Sequence, residues 1–136
     1  MEMANSMLTR WNNFHDWYLY RLALGPNEEP RRLILGLYLG NERVDVTFEG
    51  VTCFNLECLG LLNIAYSIRI VEAADKNYEG VSAALNRGER ISTRKGAKVA
   101  FMYSSLGAEL AIEFDSLRIE SNRLDMMCGA TINARR

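Results

Sequence analysis

The sequence predicts a mainly β domain, with α+β as the alternative: a single antiparallel sheet or half-barrel of about six strands, built from two hairpins, with one or two short helices. Three stretches carry that reading. Arg31 to Val51 (RRLILGLYLGNERVDVTFEGV) has two apolar-rich runs flanking Gly40-Asn41, a pair suited to a two-residue turn. Ala97 to Asp115 repeats the logic around Leu106-Gly107. Asn63 to Glu72 alternates with the period of a strand.

Residues 1–13 read as a lead-in, either a frayed tail or a short helix capped by Ser6 and carrying Met7, Leu8 and Trp11. Phe14 to Leu24 is rich in aromatics and strand-like, and the glycine and two prolines of residues 25–30 break it. In the central hairpin a two-residue loop pairs Leu39 with Glu42, Leu37 with Val44, Leu35 with Val46 and Leu33 with Phe48. The other face then pairs Tyr38 with Arg43, Gly36 with Asp45, Ile34 with Thr47 and Arg32 with Glu49. One face is apolar and the other mixed, and a shift of one residue would destroy that sorting. The first strand extends the apolar face if Leu22 lies opposite Leu33, Tyr20 opposite Leu35 and Tyr18 opposite Leu37.

After Val51 the alternation stops, so Thr52 to Leu62 reads as a turn plus an irregular or short helical connection. In the next strand Ile64, Tyr66, Ile68 and Ile70 face one way. Asp75 to Arg87 is the best helix: Asp75 can cap it, Tyr78, Val81 and Leu85 share a stripe, and Gly88 can stop it. Arg87 to Lys98 is basic. In the second hairpin, Tyr103 pairs with Leu110, Phe101 with Ile112 and Val99 with Phe114. The outgoing strand's other face carries Glu109, Ala111, Glu113 and Asp115, an acidic stripe. Leu117 and Ile119 alternate in the opposite phase, which a bulge near Asp115-Ser116 would reconcile. From Ser121 the chain reads as loop and tail, with Met126, Met127 and Cys128 able to tuck onto the core.

The 136 residues fit one domain, large enough to bury a core without metal or disulfide. A net charge of −1 argues against a dedicated nucleic-acid binder. No apolar run is long enough to span a bilayer, and the N-terminus lacks the order of a signal peptide, so a cytoplasmic protein is expected. The odd count of three cysteines (Cys53, Cys58, Cys128) fits free thiols. Their spacing and the lone histidine do not form a zinc site, and no cofactor motif is present.

Several constellations bear chemistry. His15-Asp16 is the only histidine beside a carboxylate, although strand neighbours point apart. Ser104-Ser105 lacks the GxSxG frame, and GERISTRKG lacks the spacing of a phosphate loop. The basic segment 87–98 is a solvated loop unless it meets a phosphate or an acidic partner. The stripe Glu109, Glu113 and Asp115 is a solvent face unless it meets a basic surface, holds a metal or acts as an acid/base pair. Trp17, Tyr20 and Tyr38 suit either core or interface.

FHDW at 14–17, VTFEGV at 46–51, NIAYSIRI at 63–70 and SSLGAELAIEFDSLRI at 104–119 together resemble small bacterial immunity-type proteins. That resemblance implies a cytosolic, β-rich, non-catalytic protein that binds and neutralises a cognate protein toxin. The near-neutral charge departs from the acidic character of an inhibitor of basic nucleases. The polar residues proposed to meet the toxin are Glu42 and Asp45 beside the first turn, with Glu109, Glu113 and Asp115. Two other classes stay open: a small enzyme using His15 with a distant carboxylate, and a structural or homo-oligomeric module using an edge strand.

Overall fold

The computed structural model describes residues 3–123. Its helices are α1 (Met3–Arg10) and α2 (Tyr78–Asn86), and its strands are β1 (Tyr18–Leu24), β2 (Arg32–Leu39), β3 (Glu42–Glu49), β4 (Cys53–Glu57), β5 (Ile64–Ile70), β6 (Lys98–Leu106), β7 (Glu109–Phe114) and β8 (Ser116–Arg123). All strand pairs are antiparallel, in the order β4-β7-β6-β5-β1-β2-β3-β8. The mainly β class holds, but the described residues form eight strands rather than about six. The two additional strands are β4, within the stretch expected to be irregular or helical, and β8, which extends past Ser121. Met126, Met127 and Cys128 lie outside the described residues.

The sheet is rolled. β3 pairs with β8, and β4, the continuation of β3, pairs with β7, which β8 continues. Two long strands therefore run beside each other around a shared corner at residues 50–52 and Asp115. Asp115 N donates to Glu49 O (2.9 Å) and Thr52 N to Glu113 O (3.0 Å) across it. Rolling brings Phe48 of β3 against Phe114 of β7, with ring centroids 4.9 Å apart. Both rings are buried, among Leu33, Leu35, Leu37, Val44, Val46, Leu110 and Ile112. Burying each such side chain contributes about 1.5–3 kcal/mol, so the core dominates the stability.

The central hairpin has the register expected at every pair from Arg32↔Glu49 to Leu39↔Glu42. Gly40, with φ +61°, opens its turn, a position where only glycine is at ease. The β1 register differs from the expected one. Leu22 pairs with Leu35 and Leu19 with Leu37, with a bulge at Tyr20. The bulge turns Leu19 into the core and Tyr20 out over Gly36, where a Cβ would stand 3.2 Å from the tyrosine ring. β5 is bulged as well, so Ala65 is buried and Tyr66 exposed, against simple alternation.

The second hairpin sits one residue from the expected register: Met102 pairs with Leu110, Ala100 with Ile112 and Lys98 with Phe114. Val99, Phe101 and Ala111 consequently lie on the outer face. There α2 covers them with Val81, Ala84 and Leu85, making a second, smaller core with Cys53 and Val71. A sheet buried on both faces gives the alternation no polar side from which to fix register.

α2 starts three residues later than Asp75, although the Asp75 carboxylate still accepts a hydrogen bond from Asn77 N (2.8 Å). α1 begins before Ser6 and sets Ala4 and Leu8 into the core. Residues 12–14 form a 3₁₀ turn rather than the start of a strand. Asn12, Asn13, Phe14 and Asp16 all have positive φ, and the turn buries Phe14 between Trp11 and Trp17. Core packing over-determines this otherwise unfavourable backbone. Among the described residues, no helix is long and apolar enough to cross a membrane.

Candidate functional site

The charged candidates largely consume one another. Residues 87–97 form a strap from the end of α2 to β6, and the strap is stapled to the acidic end of β7. Glu113, 4 % exposed, accepts hydrogen bonds from Arg90, Thr52 Oγ1 (2.6 Å) and Gly96 N. Burial alone would push the Glu113 carboxyl up. The bonds from Arg90, Thr52 and Gly96, with the guanidinium charge, outweigh it and hold the carboxyl below its usual range. Asp115 takes Arg94 (3.1 Å) and Ala97 N (3.1 Å) at the corner. The basic run and the acidic stripe, each read alone as a possible partner surface, are thus largely each other's partner.

The five acidic residues do not form one patch. Glu113 is sealed under the strap, so its carboxylate is not offered to a partner. Glu109 is half-buried beside Arg87, Phe101 and Tyr103. Glu42 and Asp45 lie on β3, on the opposite half of the sheet, and Asp45 pairs with Arg21 (3.1 Å). His15 and Asp16 stand outside any strand. Against expectation their side chains meet, with Nε2 3.5 Å from the carboxylate, while Nδ1 lies 3.0 Å from Tyr66 O. The shallow depression at His15 is lined by Asn12, Asn13, Tyr66, Ser67 and Arg69 and, among the described residues, brings in no distant carboxylate. Cys53 is buried and donates to Leu85 O, burial pushing its thiol up, and Cys58 is exposed. Among the described residues, no three His, Cys, Asp or Glu side chains gather as metal ligands.

What the charges leave open is an apolar and aromatic surface. β4 ends at Glu57, Cys58 follows with a φ of +64°, and the chain then projects Leu59, Leu61 and Leu62 outward, with Leu61 fully exposed. Such a loop would ordinarily be slack, but Asn63 pins it. Its buried carboxamide accepts from Gly60 N (3.0 Å) and Ala108 N (2.9 Å) and donates to Gly60 O (2.9 Å). Gly107, at φ +85°, makes room: a Cβ there would stand 2.3 Å from Asn63 Oδ1. A cleft of about 490 Å³ separates this loop from Tyr18, Tyr20 and Tyr38 on the outer face of β1 and β2.

The tyrosines form a cluster. Tyr18 stacks on Tyr38 (5.1 Å) and Tyr20 meets Tyr38 edge-on (5.6 Å). The Arg43 guanidinium lies 4.8 Å over Tyr20, and its Nε is buried without a hydrogen-bond partner. Tyrosine and arginine are residues that protein interfaces favour, and here they stand beside exposed leucines on a held scaffold. Of the three aromatics open to either use, Tyr20 and Tyr38 fall here, and Trp17 is core. Leu59, Leu61, Leu62, Asn63 and Arg43 were not foreseen. The one available signal was an apolar run, Leu59 to Leu62, that fits neither helix nor strand period.

The chain matches no protein-family model, and no curated protein is significantly similar to it.

Proposed function

We propose that this chain is a non-catalytic binding protein that captures a protein partner on the Leu59–Leu62 loop and the Tyr20–Tyr38–Arg43 cluster. Following the resemblance to immunity-type proteins, the partner is a cognate bacterial toxin, neutralised in the cytoplasm by a loop that enters and blocks its active-site cleft. The observation that carries the reading is the Asn63 clamp. A loop tipped with exposed leucines loses stability and solubility unless the leucines are used, and pinning it in advance lowers the entropy cost of docking. Asp45, on the same face of the hairpin as Tyr38 and Arg43, supplies a polar contact at the rim, whereas Glu42 alternates onto the other face of β3. Interfaces of this kind bury about 1,200–2,000 Å² in total.

The test is capture of the product of the adjacent reading frame by the purified chain. A stoichiometric complex is expected, weakened at least tenfold by Leu61→Asp or by Tyr20→Ala, about 1.4 kcal/mol or more. The reading is overturned if the wild-type chain forms no complex, or if the complex forms equally well with both variants.

A further inference from the structure

A second concave site lies on the other half of the molecule and is independent of the toxin-binding reading. It is a cleft of about 410 Å³ between α2, the end of β5 and the strap, within the roughly 300–1,000 Å³ typical of small-ligand sites. Val71, Leu85 and Val99 line it as apolar residues. Tyr78, Ser82 and Asn86, four residues apart, present one stripe of α2 to it. Its charged lining is Arg90, Lys95 and Lys98 with Glu72 and Glu113. Glu113 is already saturated by Arg90, Thr52 and Gly96, so its charge is spent inside the protein. Lys95 is exposed and makes no bond among the described residues, and Lys98 Nζ reaches only the Asp115 backbone carbonyl, at 3.4 Å. Neither lysine has a carboxylate within ion-pair distance among the described residues, although the exposed Glu72 also lines the cleft.

We propose that this cleft binds a small phosphate-bearing molecule. Lys95 and Lys98 hold the phosphate, and its organic body lies along Tyr78, with Ser82 and Asn86 as hydrogen-bonding groups. Lysine ammoniums suit a tetrahedral phosphate because they act as mobile point charges rather than as a planar fork. The strap is fixed at both ends by carboxylates, so Lys95 and Lys98 are carried on backbone already held in place.

Phenyl phosphate, titrated into the isotopically labelled full chain and followed by amide NMR, tests this. Saturable shifts are expected at residues 70–73, 78–86 and 95–98. Inorganic phosphate should move the 95–98 amides and bind more weakly. Lys95→Ala with Lys98→Ala should weaken phenyl phosphate at least tenfold, and Lys76→Ala, on the exposed approach to α2, should leave it unchanged. The inference is overturned if no saturation is reached by about 10 mM, where binding contributes under ~3 kcal/mol. It is equally overturned if sodium chloride of matched ionic strength reproduces the shifts, or if the double lysine variant, its spectrum still dispersed, binds as tightly as wild type.

Discussion

The outer face of β4, β7 and β6 lies under α2 and the strap, whereas neither helix packs on the outer face of β1, β2 and β3. On the covered half the helix brings Val81, Ala84 and Leu85 down onto Phe101 and Ala111, and every acidic group along the buried edge meets a cation or an amide. On the uncovered half the same kind of sheet shows Tyr20, Tyr38 and Arg43 to the outside, beside leucines that a folding core would have claimed. The difference lies in what covers each outer face. Both halves pair charges internally, but one is sealed by a helix and strap while the other leaves a pinned apolar loop and an aromatic cluster exposed.

The comparison breaks most readily at Arg90. Arg90→Ala strands the Glu113 carboxylate in a buried site and should cost about 3 kcal/mol, measured by urea unfolding at neutral pH. Acid sharpens the same point. A carboxyl held below its usual value contributes stability that is complete above its unfolded pKa of about 4.3 and is lost as pH falls through the folded value. In the Arg90→Ala chain, burial remains while the main opposing bonds are gone, so the acid loss should begin at a higher pH. An unchanged acid midpoint would show that Thr52 and Gly96 alone hold Glu113.

A smaller effect is expected at Asn63, which belongs to both halves through Gly60 and Ala108. Asn63→Ala leaves the buried Ala108 N–H without a partner and should cost about 1–3 kcal/mol. It should also speed amide exchange at Gly60. Protected exchange at Gly60 in that variant would mean the loop is held by something other than the carboxamide. The smallest effect belongs to the exposed surface. Leu61→Asp should shift stability by no more than about 0.5 kcal/mol, since a fully exposed side chain has no packing to lose. A larger loss would place Leu61 in the fold rather than in recognition.

How much of this was legible follows the same division. The central hairpin could be read pair by pair, because Gly40-Asn41 fixes the turn and only one of its faces is uniformly apolar. The second hairpin slipped by one residue because α2 covers its outer face, so Val99, Phe101 and Ala111 look as core-like as Ala100 and Met102. The first strand misled because the bulge at Tyr20 inverts the alternation, and nothing local marks it except Gly36, far along the chain. β4 was missed because a five-residue strand half-buried on both sides has no dominant period. At the site, the charges were visible but their partners were not. Arg90 and Glu113 meet only because the strap folds back across β7. The leucine loop was visible only as an apolar run out of phase.

The corner shared by the two long strands also has a consequence for the edges of the sheet. A sheet of eight strands ordinarily offers two edges to any neighbour seeking a template. Here each edge is merely half of a strand whose other half is interior: β4 continues β3, and β8 continues β7. At β4, Gly88 fits so closely over Phe54 that a Cβ would stand 2.2 Å from its carbonyl oxygen. At β8, Arg118 and Glu120 place opposite charges along the strip, with Arg118 already tied to Glu49. An incoming strand therefore meets an edge of five residues under a helix end, or a charged one that turns inward at Asp115. Bending two strands leaves the described sheet with one short edge and one charged edge, where a longer, flatter sheet would present two full-length ones.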